Sequence, residues 1–208
     1  RAGLVGADGP THHGTFDMAF LNAIPNLTIL SPMDEHELRN MMYWAVEYTE
    51  GSVVIRYPRG RGSKRHYKNE IHSLDIGTSR TLSEGKKIAV ISIGQIGTEV
   101  QKTILSNDLK YAVSHIDARF MKPLDLKKIG EIFRSFDKII TIEESCLLGG
   151  FGQQIKALAL DSQYKGTITS LGLPDTFVEH GEIEELRAMY GLDAEGIGKV
   201  IAQSLPQL

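Results

Sequence analysis

Leu27-Thr28-Ile29-Leu30-Ser31-Pro32-Met33-Asp34 reads as a short buried strand that runs straight into a helix start. Four strand-forming residues come first. Ser31 then stands as a cap, with Pro at the first helical position and a carboxylate at the third. The helix that follows carries Leu38, Met41, Met42, Ala45 and Val46 at helical spacing, with Glu35, Glu37, Arg39 and Asn40 mostly on the other side. Glu50-Gly51 stops it, and Val53-Val54-Ile55 forms the next strand. Over residues 1–60 the order is therefore strand, loop, helix, strand, helix, strand. Further on, Ile88–Ile93 and the segments 111–116, 138–142 and 167–171 read as short apolar strands. Between them lie helical patterns, Leu126, Ile129, Ile132 and Phe133 in one, Phe151, Ile155 and Leu158 in another. Ile183, Leu186 and Met189, then Ile197, Val200 and Ile201, give the closing helices. Strands alternating with helices imply right-handed βαβ units, so the fold class is α/β with a mainly parallel sheet covered on both faces.

Residues 60–69 are basic, contain glycine and hold almost no aliphatic side chains, as an exposed connection between domains does. The division expected is 1–60, a linker over 61–76, and a second domain over 77–208, with tryptic sites at Arg61, Lys64 and Arg65 in the linker. The 208 residues suffice for one large or two small domains with a real core. A formal charge of −3 and the lack of a long basic block argue against nucleic acid as a partner. No stretch approaches the roughly 18 apolar residues of a membrane span, and the chain does not open on the regions of a signal peptide. The single cysteine, Cys146, cannot form an internal disulfide, which suits a reducing cytosol. With no His or Lys activator beside it in sequence, it reads as structural.

The polar run Gly6-Ala7-Asp8-Gly9-Pro10-Thr11-His12-His13-Gly14 packs a carboxylate, a hydroxyl and two imidazoles into a turn after a strand end, where open α/β sheets bind ligands. The residues fit a solvated turn in which Asp8 caps backbone amides. They also fit proton transfer, since imidazole titrates nearest neutrality and Asp8 can orient or charge-stabilise it. A metal reading of the paired histidines lacks HExxH, CxxC or a carboxylate at ligand spacing. In Arg56-Tyr57-Pro58-Arg59-Gly60 the proline fixes the backbone at a strand end. Arginines held there fit either a phosphate, through parallel charge-assisted hydrogen bonds, or a carboxylate partner in the protein. Glu143-Glu144-Ser145 followed by Gly149-Gly150-Phe151-Gly152 puts glycines between strand and helix, suited to an anion at the helix N-terminus or to close backbone packing.

These clusters, with Ile24-Pro25, Ser31-Pro32-Met33-Asp34-Glu35, Arg119-Phe120-Met121-Lys122-Pro123-Leu124-Asp125 and Leu171-Gly172-Leu173-Pro174-Asp175, occur in an order that resembles the 1-deoxy-D-xylulose-5-phosphate synthase family of the transketolase superfamily. The resemblance covers essentially the whole chain and starts inside a domain, so the sequence reads as a C-terminal part of a longer enzyme. It implies part of a thiamine-enzyme pyrimidine-binding domain followed by a transketolase C-terminal-like domain. The implied activity is the decarboxylative condensation of pyruvate with D-glyceraldehyde 3-phosphate to 1-deoxy-D-xylulose 5-phosphate and carbon dioxide. That reaction opens non-mevalonate isoprenoid synthesis and feeds thiamine and pyridoxal phosphate synthesis. The resemblance further implies a homodimer in the bacterial cytoplasm, or in a plastid if the source is a plant. By motif position His12 corresponds to the family histidine facing the cofactor's thiazolium side, and Asp8 to its acidic neighbour. Arg1 and Arg59 correspond to the arginines that hold the substrate phosphate, whereas Arg56 and His13 receive no role. Thiamine diphosphate and Mg2+ are implied cofactors, with their ligands and the activating glutamate upstream of Arg1, so this chain alone is expected to be inactive. Transketolase is the nearest alternative, but it is expected to carry Glu for Ala7 and Gln for His13 and to lack the 56–60 cluster. The β subunit of a 2-oxoacid dehydrogenase is a second, without the 6–14 run. A non-catalytic dimerisation or assembly module is the alternative of another class.

Overall fold

Ile88–Ile93, six consecutive buried residues, form the spine of the larger sheet in the computed structural model, which describes residues 1–62 and 70–205. In chain order the elements are α1 (Asp17–Asn22), β1 (Leu27–Leu30), α2 (Glu35–Glu47), β2 (Ser52–Ile55), β3 (Arg80–Ser83), β4 (Ile88–Ile93), α3 (Gly97–Ser106), β5 (Val113–Asp117), β6 (Phe120–Lys122), α4 (Leu126–Ser135), β7 (Lys138–Cys146), α5 (Phe151–Asp161), β8 (Thr167–Leu173), α6 (Ile183–Met189) and α7 (Ala194–Ser204). The five-stranded sheet runs β3-β5-β4-β7-β8. Its β4–β5, β4–β7 and β7–β8 pairs are parallel, and β3 closes one edge antiparallel to β5. Both faces are covered, which is why the central strands read as unbroken apolar runs. Val90, Ile140 and Ile142 pack with Val100, Leu186 and Ile201 on one face, while Ile91, Ile93 and Ile139 pack with Ile129, Phe151 and Ile155 on the other.

The smaller sheet has the order β2-β1-β6, with β1 parallel to β2 and antiparallel to β6. Strand β6 comes from the later part of the chain, so the two parts on either side of 61–76 share strand pairing. They share a core as well. Met18 of α1 sits among Phe151 and Ile155, and Phe120 of β6 packs edge-on to Trp44 at 5.9 Å. Division at 61–76 remains our proposal for where one unit ends and the next begins. Of the expected tryptic sites, Lys64 and Arg65 lie outside the described residues, while Arg61 is exposed.

Three expectations are corrected. The cap of α2 is Asp34, not Ser31: its Oδ1 accepts from the His36 and Glu37 amides at 3.0 and 2.9 Å. The inward face of α2 is Glu37, Asn40, Met41 and Trp44, whereas Met42 and Val46 are exposed. A polar face turns inward because it meets two arginines, Arg80 and Arg119. The strand expected before the 6–14 turn exists only as isolated bridges, Ala2 to Pro58 and Gly3 to Gly14, since that segment is held mainly through side chains.

Candidate active site

The 6–14 run closes on itself as a turn. Gly3 and Gly14 exchange amide-to-carbonyl bonds at 2.9 Å, and the His12 and His13 amides donate to the Gly9 carbonyl at 3.0 and 3.2 Å. The adjacent histidines part company here. His13 Nδ1 accepts from the Val5 amide at 2.9 Å and its Nε2 lies 3.3 Å from the Glu179 carbonyl, so the hydrogen sits on Nε2 and the ring ties the turn to the β8–α6 loop. His12 is exposed, its Nδ1 3.0 Å from the Thr11 hydroxyl. Asp8 forms an ion pair with Arg59 Nη1, which also donates to the Val5 carbonyl at 3.4 Å. Both partners keep nearly half of their side-chain surface in solvent, so the pair contributes little to stability.

Arg59 and Arg1 face a common cleft of about 620 Å³. Its walls are Pro32, Met33, Asp34 and Glu35 at the start of α2, the 57–62 segment, and Gln95, Thr98, Glu99 and Lys102 at the start of α3. Arg1 stacks on the Tyr57 ring at 5.9 Å. Arg61 and Lys102 add positive charge to the rim, Lys102 Nζ lying 2.8 Å from Glu99 Oε1. The structure thus brings Arg1 and Arg59 to one cleft and Asp8 to Arg59, while His12 projects from the neighbouring turn rather than lining it.

Arg56, three residues before Arg59, has the other fate open to an arginine. It is buried, with Nε held by the two Asp17 oxygens at 3.0 and 2.8 Å and Nη2 donating to the Gly14 and Glu144 carbonyls. No donor fork remains for a phosphate. The glycine turn after β7 is likewise filled from within. The buried Glu143 carboxylate accepts from Ser145 Oγ and, at 2.8 Å each, from the Phe151 and Gly152 amides that open α5. The anion at this helix N-terminus is the protein's own. A side chain at Gly150 would run into that carboxylate, which accounts for the glycine. Burial pushes the Glu143 carboxyl up, against the pull of Ser145, the two amides and the Arg56 charge. Glu144 binds the Leu4 amide at 2.9 Å and Arg187 Nε at 2.6 Å, and Gly3 leaves room for it. Cys146 is buried, as a structural cysteine is.

Sequence reasoning missed a charged cluster beside the cleft. Arg80 reaches Asp117 Oδ2 at 2.9 Å, Glu37 Oε1 at 3.2 Å and Asp34 Oδ2 at 3.5 Å, and Arg119 Nε lies 2.7 Å from Glu37 Oε2. Burial raises the Asp117 carboxyl to about 6, with Arg80 pulling the other way. His115, on the same face of β5, is pushed down to about 3 by burial and then by the Arg80 charge, and its Nε2 is 2.8 Å from Ser92 Oγ. Nothing in the sequence joins residues 34, 37, 80, 117 and 119. No group of three or more His, Cys, Asp or Glu able to hold a metal ion occurs among the described residues. With Glu143 and Glu144 committed internally, these residues do not fit a magnesium and diphosphate site.

A mainly parallel sheet with helices on both faces, joined to a smaller sheet beside an arginine-lined cleft, places the molecule in the α/β class. The family model for the transketolase pyrimidine binding domain matches residues 1–64 and that for the transketolase C-terminal domain matches residues 77–197, and the chain belongs to this family. Its curated relatives carry the name 1-deoxy-D-xylulose-5-phosphate synthase. The chain is 47% identical over 203 residues to that of Phocaeicola vulgatus, 46% over 201 residues to that of Bacteroides thetaiotaomicron and 43% over 203 residues to that of Chlorobaculum tepidum. In each case 96–97% of this chain is covered, and it spans 31–32% of the relative's length. Among solved structures, a split-gene transketolase in an inactive β4 tetramer matches with a TM-score of 0.79 at 23% identity, over 94% of this chain and 63% of that one. A transketolase mutant from Pichia stipitis matches with a TM-score of 0.70 at 19% identity, over 96% and 28%. At these identities the structures speak for the fold.

Proposed function

We propose that this chain supplies one wall of the active site of a 1-deoxy-D-xylulose-5-phosphate synthase, which joins pyruvate to D-glyceraldehyde 3-phosphate with loss of carbon dioxide. The carrying observation is that Arg1 and Arg59, far apart in sequence, face one cleft whose charged lining also includes Arg61 and Lys102 along with Asp34, Glu35 and Glu99. In this reading the two guanidiniums grip the phosphate of the aldehyde, and Asp8 holds Arg59 in place until substrate arrives. His12, exposed on the neighbouring turn, exchanges a proton with the substrate's reacting oxygen. Thiamine diphosphate supplies the carbanion chemistry when bound. It and Mg2+ are held by residues outside this chain, which is inactive alone. Assembly as a homodimer and a cytoplasmic location belong to the same reading.

Arg59→Ala in the full-length protein tests it. A charge-assisted hydrogen bond shielded from water is worth about 2 kcal/mol, so kcat/KM for glyceraldehyde 3-phosphate should fall roughly thirtyfold. The KM for pyruvate, which has no phosphate, should change little. Equal losses for both substrates would make Arg59 a structural residue.

A further inference from the structure

The cleft that holds Arg1 and Arg59 is bounded by segments from distant parts of the chain, and their separation needs a cause. One wall is the start of α2, residues 32–38, and the other is the start of α3, residues 95–102. Among the described residues no backbone hydrogen bond runs directly from 32–38 to 95–102; the nearest backbone tie is the Ser31 amide to the Arg119 carbonyl at 2.8 Å. Arg80 is the first residue of β3, directly across the ladder from Asp117 of β5, so its Cα is fixed to the larger sheet. Its Nε bond to Asp117 Oδ2, at 2.9 Å, aims the planar guanidinium away from the sheet. The two terminal nitrogens then meet α2, Nη1 at Glu37 Oε1 and Nη2 at Asp34 Oδ2. Asp34 both caps α2 and lines the cleft. Arg119 also reaches Glu37, and its backbone amide donates to Asp117 Oδ1 at 3.2 Å, whereas the Arg80 guanidinium meets Asp117, Glu37 and Asp34 together and so ties the sheet to the helix start.

We propose that Arg80 is a positioning residue for the phosphate-binding cleft: oriented by Asp117, its fork holds Asp34 and Glu37 and thereby sets the distance between the α2 and α3 walls. It never touches the substrate. This inference rests on reading the cleft as the phosphate site. Lysine cannot fully replace it, because the three donors of an ammonium radiate from one nitrogen and cannot span carboxylates on two elements as the three nitrogens of a guanidinium do.

Arg80→Met alone leaves Asp117 buried without its cation, which is strongly destabilising. The main test therefore uses Arg80→Met with Asp117→Asn, and Arg80→Lys as the second variant, both in the full-length protein. Rates are measured with glyceraldehyde 3-phosphate and with phosphate-free D-glyceraldehyde. A wall displaced by a fraction of an ångström should raise the KM for the phosphorylated aldehyde roughly three- to tenfold. kcat, the KM for pyruvate and the rate with D-glyceraldehyde should stay within about twofold. Arg80→Lys should show a smaller separation of the same sign. A general loss of packing would affect both aldehydes alike, and that result, or no change with either, overturns the proposal. Arg59→Ala is the control. If it separates the two aldehydes and the Arg80 variants do not, the positioning role is wrong while the phosphate reading stands; if none separates them, the phosphate reading itself falls.

Discussion

His12 and His13 are chemically the same residue one position apart, and the chain spends them differently. Both ring nitrogens of His13 are engaged, with Val5 and with a carbonyl 166 residues away, so its ring is a structural tie. His12 keeps its imidazole in solvent beside Thr11. His12→Ala in the full-length protein should therefore lower turnover about a hundredfold or more, the scale of a positioned acid-base group, and leave thiamine diphosphate affinity nearly unchanged. Loss of cofactor binding with normal turnover at saturating cofactor would remove the role assigned to it. The sequence showed both histidines as candidates but could not divide them, because what divides them is a partner distant in the chain. Arg56 and Arg59 repeat the lesson. Proline fixes the backbone of both, yet Arg56 is consumed by Asp17 and by the Glu144 carbonyl, 39 and 88 residues away.

Elements show the same limit in another form. Ile88–Ile93 and Leu27–Leu30 were legible because a strand buried on both faces needs little more than apolar residues. The existence of helix α2 was legible too, but its inward face was not, since the exposed Met42 and Val46 outweigh by hydropathy the buried Glu37, which is paired with Arg80 and Arg119, and the buried Asn40, which accepts from the His72 amide. Strand β5 carries a testable consequence of such burial. His115, lowered from 6.5 to about 3, stays neutral when folded where the unfolded chain takes up a proton, so its contribution is full above 6.5 and lost as pH falls toward 3. Asp117, raised from 3.8 to about 6, works in the opposite sense. It keeps its proton when folded, and its contribution is full below 3.8 and lost as pH rises through 6. Between about pH 4 and 6 the two oppose each other. His115→Gln should therefore turn stability more steeply downward with rising pH in that window than in the parent chain. Thermal melts at pH 4, 5 and 6 measure it, and identical pH slopes for the two proteins would show that His115 does not titrate as its burial demands.

At the scale of the molecule, the change of texture around 60–69 reads as a connection, which we keep as a proposal, and the union of the parts on either side of it was not legible. Three short residues, Phe120–Lys122, carry too little pattern to announce a strand, yet they add β6 to β1 from the far side of the linker. Other ties cross the same boundary: Leu4 to Glu144 at 2.9 Å, the Cys146 amide to the Thr15 carbonyl at 2.7 Å, and Lys122 Nζ to the Ile24 carbonyl at 2.7 Å. Met18 is fully buried among side chains of the larger unit. Burying a side chain of that size is worth about 1.5 to 3 kcal/mol, and several such contacts exceed what a covalent link between the parts adds by raising their effective concentration. Trypsin acting at Arg61 and at the neighbouring basic residues should nick the chain first within 61–76, where Arg61 is exposed. The two pieces should then elute together in native buffer at the position of the intact 23.0 kDa chain and part only in denaturant. Cleavage that begins between Ile88 and Leu205 would contradict the connection. Pieces that separate in native buffer would show that the β1–β6 pairing and the shared core do not hold the two units together.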